Sequence, residues 1–346
     1  MMTKILMISL IGFAVMASGI VLASSAFAQS GDYADWMSQH KDQLRNLPIN
    51  QVPILGSHDA GTSDLSTNSP ISQGRLIAQN VSPKYYHPTA KLVKQAKAQS
   101  VSILQQLNAG ARFLDLRVTY QDGAYYSEHL WISTPYFGSN GIFTQIKTFL
   151  QNHPDEILIL DIPHLLSENA VSTRGVMDTD EATIFYRLIV KEFSGLLIPR
   201  DNPATLTMGH IWSTPGRIIL ISEIPSSDPA INRYIWNRHD VLDARWMAQP
   251  DPETLIEKLN QVIDSWNQGQ YRHQLRALAA MVTSRPKNPK WRFDGLISAA
   301  ATTNAQINEQ LQTNWKNAPI NIVLVDDVAR SGLMPTLLNR LSQPAT

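Results

Sequence analysis

The run Glu156–Ile162 (EILILDI) constrains the fold more than any other feature of the chain. Five of its seven residues are apolar and they do not alternate with polar ones, so both faces of the strand must be buried. Arg217–Ile221 (RIILI) and Asn321–Val325 (NIVLV) have the same character. Weaker strand signals lie at Gln51–Leu55, Arg112–Val118 and Ala124–Glu128. Helical patterns separate them over residues 142–151, 181–193, 251–266 and 304–315, after a polar helix candidate at 33–45. Buried strands alternating with helices predict an α/β chain built on a parallel sheet, and a single irregular barrel accommodates that many units. The irregularity is expected near Asp122-Gly123, a hairpin signal where parallel neighbours would need a long crossover. Residues 66–100, rich in Ser, Gln, Asn and Lys, predict a long loop with a short helix.

Residues 1–28 do not belong to that pattern. Lys4 carries their only charge, nothing from Ile5 to Ala28 ionises, and the stretch ends in Ala26-Phe27-Ala28. A basic start, an apolar middle and small closing residues predict a cleaved signal peptide. The alternative, an uncleaved anchor, fits the glycines and serines of the stretch less well. Residues 29–346 then form one catalytic barrel, expected to be exported, periplasmic or secreted, and monomeric. The chain has no cysteine, so disulfides and thiolate chemistry are excluded. Its 29 basic and 29 acidic residues sum to a charge of +0, which gives no overall footprint for nucleic acid.

A barrel keeps its site at the carboxyl ends of its strands. His58 and Asp59 follow the first strand in Gly56–Thr62 (GSHDAGT), and His129 ends the third. Asp115 and Arg117 stand two apart on the second, on one face and roughly 6–7 Å between Cα atoms. Asp326 and Asp327 close the last strand, Asp161 lies near the end of the EILILDI run, and His164 follows it. Taken singly, each has a structural reading: a capping histidine, a buried ion pair. Their common position at strand ends points to one cleft. Two imidazoles can pass protons in opposite directions, carboxylates orient the rings, and a guanidinium grips phosphate oxygens. That set suits transfer at phosphorus without a cofactor.

Three segments carry a resemblance: Val52–Thr62 (VPILGSHDAGT), Gly110–Val118 (GARFLDLRV) and Tyr125–His129 (YYSEH). With Phe149–Asp161 (FLQNHPDEILILD) and Asn321–Val328 (NIVLVDDV), they resemble the X domain of phosphatidylinositol-specific phospholipase C over about residues 45–335. The resemblance implies an irregular TIM barrel and a two-histidine mechanism. His58, supported by Asp326, would take the proton of the inositol 2-hydroxyl. His129, paired with Asp59, would protonate the departing diacylglycerol, while Arg117 beside Asp115 holds the phosphate. A cyclic inositol phosphate would form. Arg117 and Asp59 stand where the calcium-dependent branch carries metal ligands, which implies no metal requirement. The implied partner is a phospholipid or other phosphodiester at a membrane interface, with no nucleic acid.

The sequence also departs from that pattern. Leu130 and Trp131 follow the second histidine where glycine is usual, and Asp327 replaces an aromatic after Asp326. Alternation sets Asp326 and Asp327 on opposite faces. Asp161-Ile162-Pro163-His164 resembles eukaryotic X-domain-only relatives and makes Asp161 and His164 substrate-contact candidates, with Trp246 a further one. Trp131, Tyr136 and Phe137 are candidates for a lipid interface as well as for core packing. The basic residues of 75–97 read as a solvated helix face or a contact for anionic lipid. Two other functions remain open: a metal-dependent glycerophosphodiester or sphingomyelinase-type phosphodiesterase, and a catalytically silent lipid-binding barrel.

Overall fold

Short runs of Ile, Leu and Val supply the strands. The computed structural model describes residues 33–80, 87–283 and 294–341, so the expected signal peptide lies outside the described residues, as do Lys84, Tyr85 and Tyr86. In chain order the first strands are β1 (Ile54–Ser57), β2 (Ala111–Asp115), β3 (Val118–Gln121), β4 (Ala124–His129) and β5 (Trp131–Pro135). They continue with β6 (Leu158–Ile162), β7 (Leu165–Ser167), β8 (Ile218–Ser222), β9 (Ile235–Asn237), β10 (Leu242–Asp243), β11 (Leu275–Ala279) and β12 (Ile322–Val325). Eight of these form one all-parallel sheet in the order β10-β11-β12-β1-β2-β6-β8-β9. The sheet curls into an open, irregular α/β barrel of TIM type. Its edges β9 and β10 are consecutive in the chain, joined by the four-residue helix Arg238–Val241, and no ladder closes them among the described residues.

The expected irregularity has a definite form. β3, β4, β5 and β7 leave the barrel and make a second sheet, in the order β5-β4-β3-β7. Asp122 and Gly123 both take positive φ, 50° and 78°, and turn β3 tightly into antiparallel β4. Arg112–Val118 is therefore not one strand, as its pattern suggested. β2 stops at Asp115, Leu116 N–H donates to Asp161 O at 2.8 Å, and Val118 N–H donates to His164 O at 2.9 Å. Apolar pattern alone could not show the change of sheet, because both halves are buried.

Helices cover the barrel where the 3.6-residue patterns placed them, at Ile142–Asn152, Thr179–Glu192 and Pro252–Asn267. Asp178 and Glu181 form a capping box at the start of the second, and Asp251 caps the third. The last large helix runs over Leu296–Gln312, starting earlier than its pattern indicated. The polar segment at 33–45 folds as two single turns, Trp36–Gln39 and Lys41–Leu44. No helix among the described residues is long and apolar enough to cross a membrane.

The amino ends of β2 and β6 meet at a buried ion pair. Arg112 and Glu156 are both fully buried, with Arg112 Nη2 2.7 Å from Glu156 Oε2. The guanidinium also donates to the carbonyls of Leu107, Ala111, Tyr33 and Ala34, and the carboxylate accepts from the backbone of Met37 and Ser38. Part of the motif that resembles a catalytic fingerprint thus holds the amino ends of β2 and β6 together. Glu156→Ala would strand a buried guanidinium, and a loss of about 3–5 kcal/mol is expected by urea unfolding. Loss below about 1 kcal/mol would show that the pair is dispensable.

Candidate active site

Two neighbouring strands make its centre. β1 and β12 run parallel with Ser57 opposite Val325, so His58 and Asp326 leave the barrel side by side. Both strands then turn alike. Asp59 and Asp327 adopt left-handed φ of 44° and 48°, and each opens a three-residue 3-10 turn. Aspartate tolerates that conformation better than most residues with a Cβ. His58 Nδ1 lies 2.7 Å from Asp326 Oδ1. Asp327 turns away, accepting from Ser100 Oγ and pairing with Arg330 at 2.9 Å.

The remainder of the GSHDAGT segment builds this turn. A Cβ on Gly61 would come within 2.5 Å of the Ser127 Cβ, so only glycine lets the turn press against β4. Thr62 Oγ1 donates to Asp59 O at 2.8 Å and accepts the N–H groups of Ala98 and Gln99. Gln99 is fully buried. Its Nε2 donates to the carbonyls of His58 (2.9 Å) and Val325 (3.2 Å), and its Oε1 accepts from Val328 N–H at 3.0 Å. Sequence reasoning missed Gln99, since one glutamine in a polar segment carries no signal.

Arg117 sits where the chain passes between the two sheets. Tyr136 Oη donates to its carbonyl at 3.0 Å and fixes the backbone there. Its Nη2 lies 3.0 Å from His58 Nε2 and 3.5 Å from Asp115 Oδ2, and its Nε lies 2.5 Å from Asp59 Oδ1. Asp115 is held in turn by Asp59 N–H at 3.2 Å. His129 arrives from the second sheet, at the end of β4. Its Nδ1 lies 3.2 Å from Asp59 Oδ2 and 2.7 Å from Ala96 O. One oxygen of Asp59 therefore faces the guanidinium, and the other faces both imidazoles, 3.4 Å from His58 Nε2.

Charge follows from this packing. Burial and Arg117 favour a neutral His58, but Asp59 and Asp326 outweigh them and push its pKa up to about 9. Burial alone would raise Asp59, yet Arg117 and the two imidazoles hold it well below the usual carboxylate range. Arg117, though buried, is held above its ordinary value by Asp59, Asp115 and Glu128. Burial raises Asp326, with His58 opposing the shift.

The other candidates stand around this cluster. Asp161 pairs with β2's Asp115 across the ladder, and Arg238 Nε donates to both its oxygens at 3.0 and 3.2 Å. Burial nevertheless pushes Asp161 up to about 7, with Arg238 pulling the other way. Arg238, which also meets Glu223 at 3.4 Å, carried no sequence signal because its helix has only four residues. His164 is exposed, and partial burial of its ring with the charges of Arg117 and Arg75 holds its pKa down. Trp246 is 64% exposed on the segment after β10 and stands outside this hydrogen-bond network. Two pairs of alternatives are narrowed. Trp131 and Tyr136 are fully buried and Phe137 packs among Tyr125, Phe143 and Phe185, so these three rings take the core-packing alternative. Among the basic residues of 75–97, Lys91 and Lys94 are exposed on helix Ala90–Ala96, as a solvated face requires, whereas Arg75 makes a two-point pair with fully buried Glu128.

A parallel barrel with two imidazoles, a guanidinium and carboxylates at its strand ends defines the class. No protein-family model matches the chain. It is 28% identical over 235 residues to mouse (Mus musculus) PI-PLC X domain-containing protein 1, covering 66% of this chain and 61% of that one. It is 28% identical over 244 residues to the variant-surface-glycoprotein phospholipase C of Trypanosoma cruzi, covering 66% and 60%. The aligned part is thus under two thirds of either relative's length. The solved phosphatidylinositol-specific phospholipase C of Listeria monocytogenes superposes with a TM-score of 0.60 at 16% identity, covering 90% of this chain and 98% of that one. The chain is thus similar in sequence to phosphatidylinositol-specific phospholipase C X-domain proteins and shares the fold of the solved bacterial phosphatidylinositol-specific phospholipases C.

Proposed function

We propose that the protein is a phospholipase C-type enzyme that cleaves phosphatidylinositol, or a closely related phosphodiester, to diacylglycerol and a cyclic inositol phosphate. One observation carries the reading: the His58 ring is held between Asp326 on one nitrogen and Arg117 on the other. Arginine can only donate, so this contact requires the neutral ring with its proton on Nδ1 toward Asp326, a form that Asp59 and Asp326 keep in the minority below about pH 9. That is the form of a base. When a phosphodiester enters, its oxygens take the Arg117 donors, and Nε2 is freed to accept the proton of the substrate's hydroxyl. The hydroxyl oxygen bonds to phosphorus as the bond to the glycerol oxygen breaks, and His129 supplies that oxygen with a proton. The charge that grows on phosphorus faces a guanidinium already set in place by two carboxylates.

The metal-dependent reading rests on the ligand atoms of His58, Asp59 and Asp115, which lie within 4.8 Å of one another. All three contact the same guanidinium, so a divalent cation there would displace or face a fixed positive charge. The donor set does not fit a metal. We therefore include metal independence in the proposal, together with export directed by residues 1–28. Phosphorus NMR of phosphatidylinositol incubated with the protein in excess chelator tests the core of it. A cyclic phosphodiester signal is expected. Turnover lost in chelator and restored by Mg2+ or Ca2+ would overturn metal independence, and cleavage of other phosphodiesters alone would overturn the head group.

A further inference from the structure

We propose that residues 96–99 form a positioning strap that fixes which nitrogen of His129 exchanges its proton, and ties that ring to the turn carrying His58. The inference rests on the reading of His129 as the proton donor. At one end is the Ala96 carbonyl, the last of helix Ala90–Ala96 and therefore without a partner inside it. His129 Nδ1 fills that vacancy at 2.7 Å. A carbonyl only accepts, so Nδ1 carries hydrogen whether the ring is neutral or charged. Asp59 Oδ2, 3.2 Å from the same nitrogen, makes the same demand. Nε2 alone is left to give and regain a proton.

The carbonyl is held firmly. Ala96 is buried with Leu65, Val93 and Trp131 in a small apolar cluster separate from the main core. The residues on each side of His129 are stitched to Pro70, Ser72 and Arg75. Glu128 is gripped by Arg75 of helix Gln73–Gln79, Ser72 N–H donates to Leu130 O at 2.9 Å, and Ile132 N–H donates to Pro70 O at 2.8 Å. At its other end the strap meets the twin turns: Ala98 O accepts from Asp327 N–H at 2.8 Å, and Gln99 bonds the carbonyls of His58 and Val325. A four-residue piece of the segment that reads as loop thus spans from one imidazole to the backbone of the other.

Lys97→Pro tests it, because a residue before proline is driven out of the helical region and the Ala96 carbonyl would turn away. Two inositol phosphodiesters are compared, one with an alkoxide leaving group and one releasing p-nitrophenolate, which departs without a proton. The alkoxide substrate is expected to slow by about 10²-fold or more, the contribution of a positioned acid, while the nitrophenyl ester keeps nearly its wild-type rate. Equal losses on both, or none on the alkoxide, would overturn the proposal. Should the variant not fold, 15N NMR of the neutral His129 ring in the wild-type chain decides: hydrogen on Nδ1 is expected, and a ring protonated on Nε2 overturns it. That measurement needs no turnover. A wild-type protein inactive on both esters would defeat the functional reading and leave the strap to the NMR result.

Discussion

Arg117→Ala is expected to lower single-turnover cleavage of phosphatidylinositol by about 10³–10⁵-fold, the range seen when an arginine facing a transferred phosphoryl group is lost. Three contacts make the effect large. The guanidinium touches His58 Nε2, Asp115 and Asp59 together, so its removal takes away the phosphate grip and unbalances two buried carboxylates. Arg117→Lys separates these roles. It keeps a charge but has no planar fork to span both carboxylates and the substrate, so a loss intermediate between wild type and alanine is expected. Free guanidinium at millimolar concentration should partly restore Arg117→Ala and leave Arg117→Lys unchanged. An alanine variant within tenfold of wild type would show that the charge on phosphorus is met elsewhere.

His58→Ala is expected to cost about 10²–10⁴-fold, the usual contribution of a positioned base. The sharper expectation concerns pH. Asp59 and Asp326 hold His58 protonated up to about 9, and only the neutral ring can accept a proton. The ascending limb of kcat/KM in the free enzyme should therefore lie near pH 9. Asp326→Asn removes one of the two charges that favour the imidazolium, so the limb should move to lower pH even as the maximal rate falls. A limb near 6.5 in the wild-type protein would show that those carboxylates do not govern the base. Stability carries the matching sign. Between 6.5 and about 9 the folded chain holds a proton on His58 that the unfolded chain has released. This group's stabilisation is thus complete below 6.5 and is lost as pH rises through about 9.

What could be read in the sequence follows from how locally each feature is encoded. β6, β8 and β12 are apolar on both faces and announce a covered parallel sheet in five residues or fewer. The Asp122-Gly123 hairpin was legible because positive φ at two adjacent positions needs such residues. β9 and β10, three and two residues long, are too short for any period, and β11 (LRALA) breaks its apolar run with Arg276. His58, Arg117, His129 and Asp326 could be singled out because they lie at or just beyond strand runs, and the structure brings these four together with Asp59 and Asp115. Gln99, Arg238 and the Ala96 carbonyl were not visible. Their partners lie tens or hundreds of residues away, and a backbone carbonyl has no letter of its own.

The departure of β3 and β4 from the barrel has a mechanical consequence. His58 rides on one sheet and His129 on another, so no single ladder of hydrogen bonds sets the distance between them. That distance is the width of a slot whose two jaws belong to different sheets. The Asp59 carboxylate, in reach of both rings, acts as the spacer between the jaws. A slight tilt of the outer sheet would reset the gap, and with it the size of group that can sit between the two rings, without altering any residue that lines it.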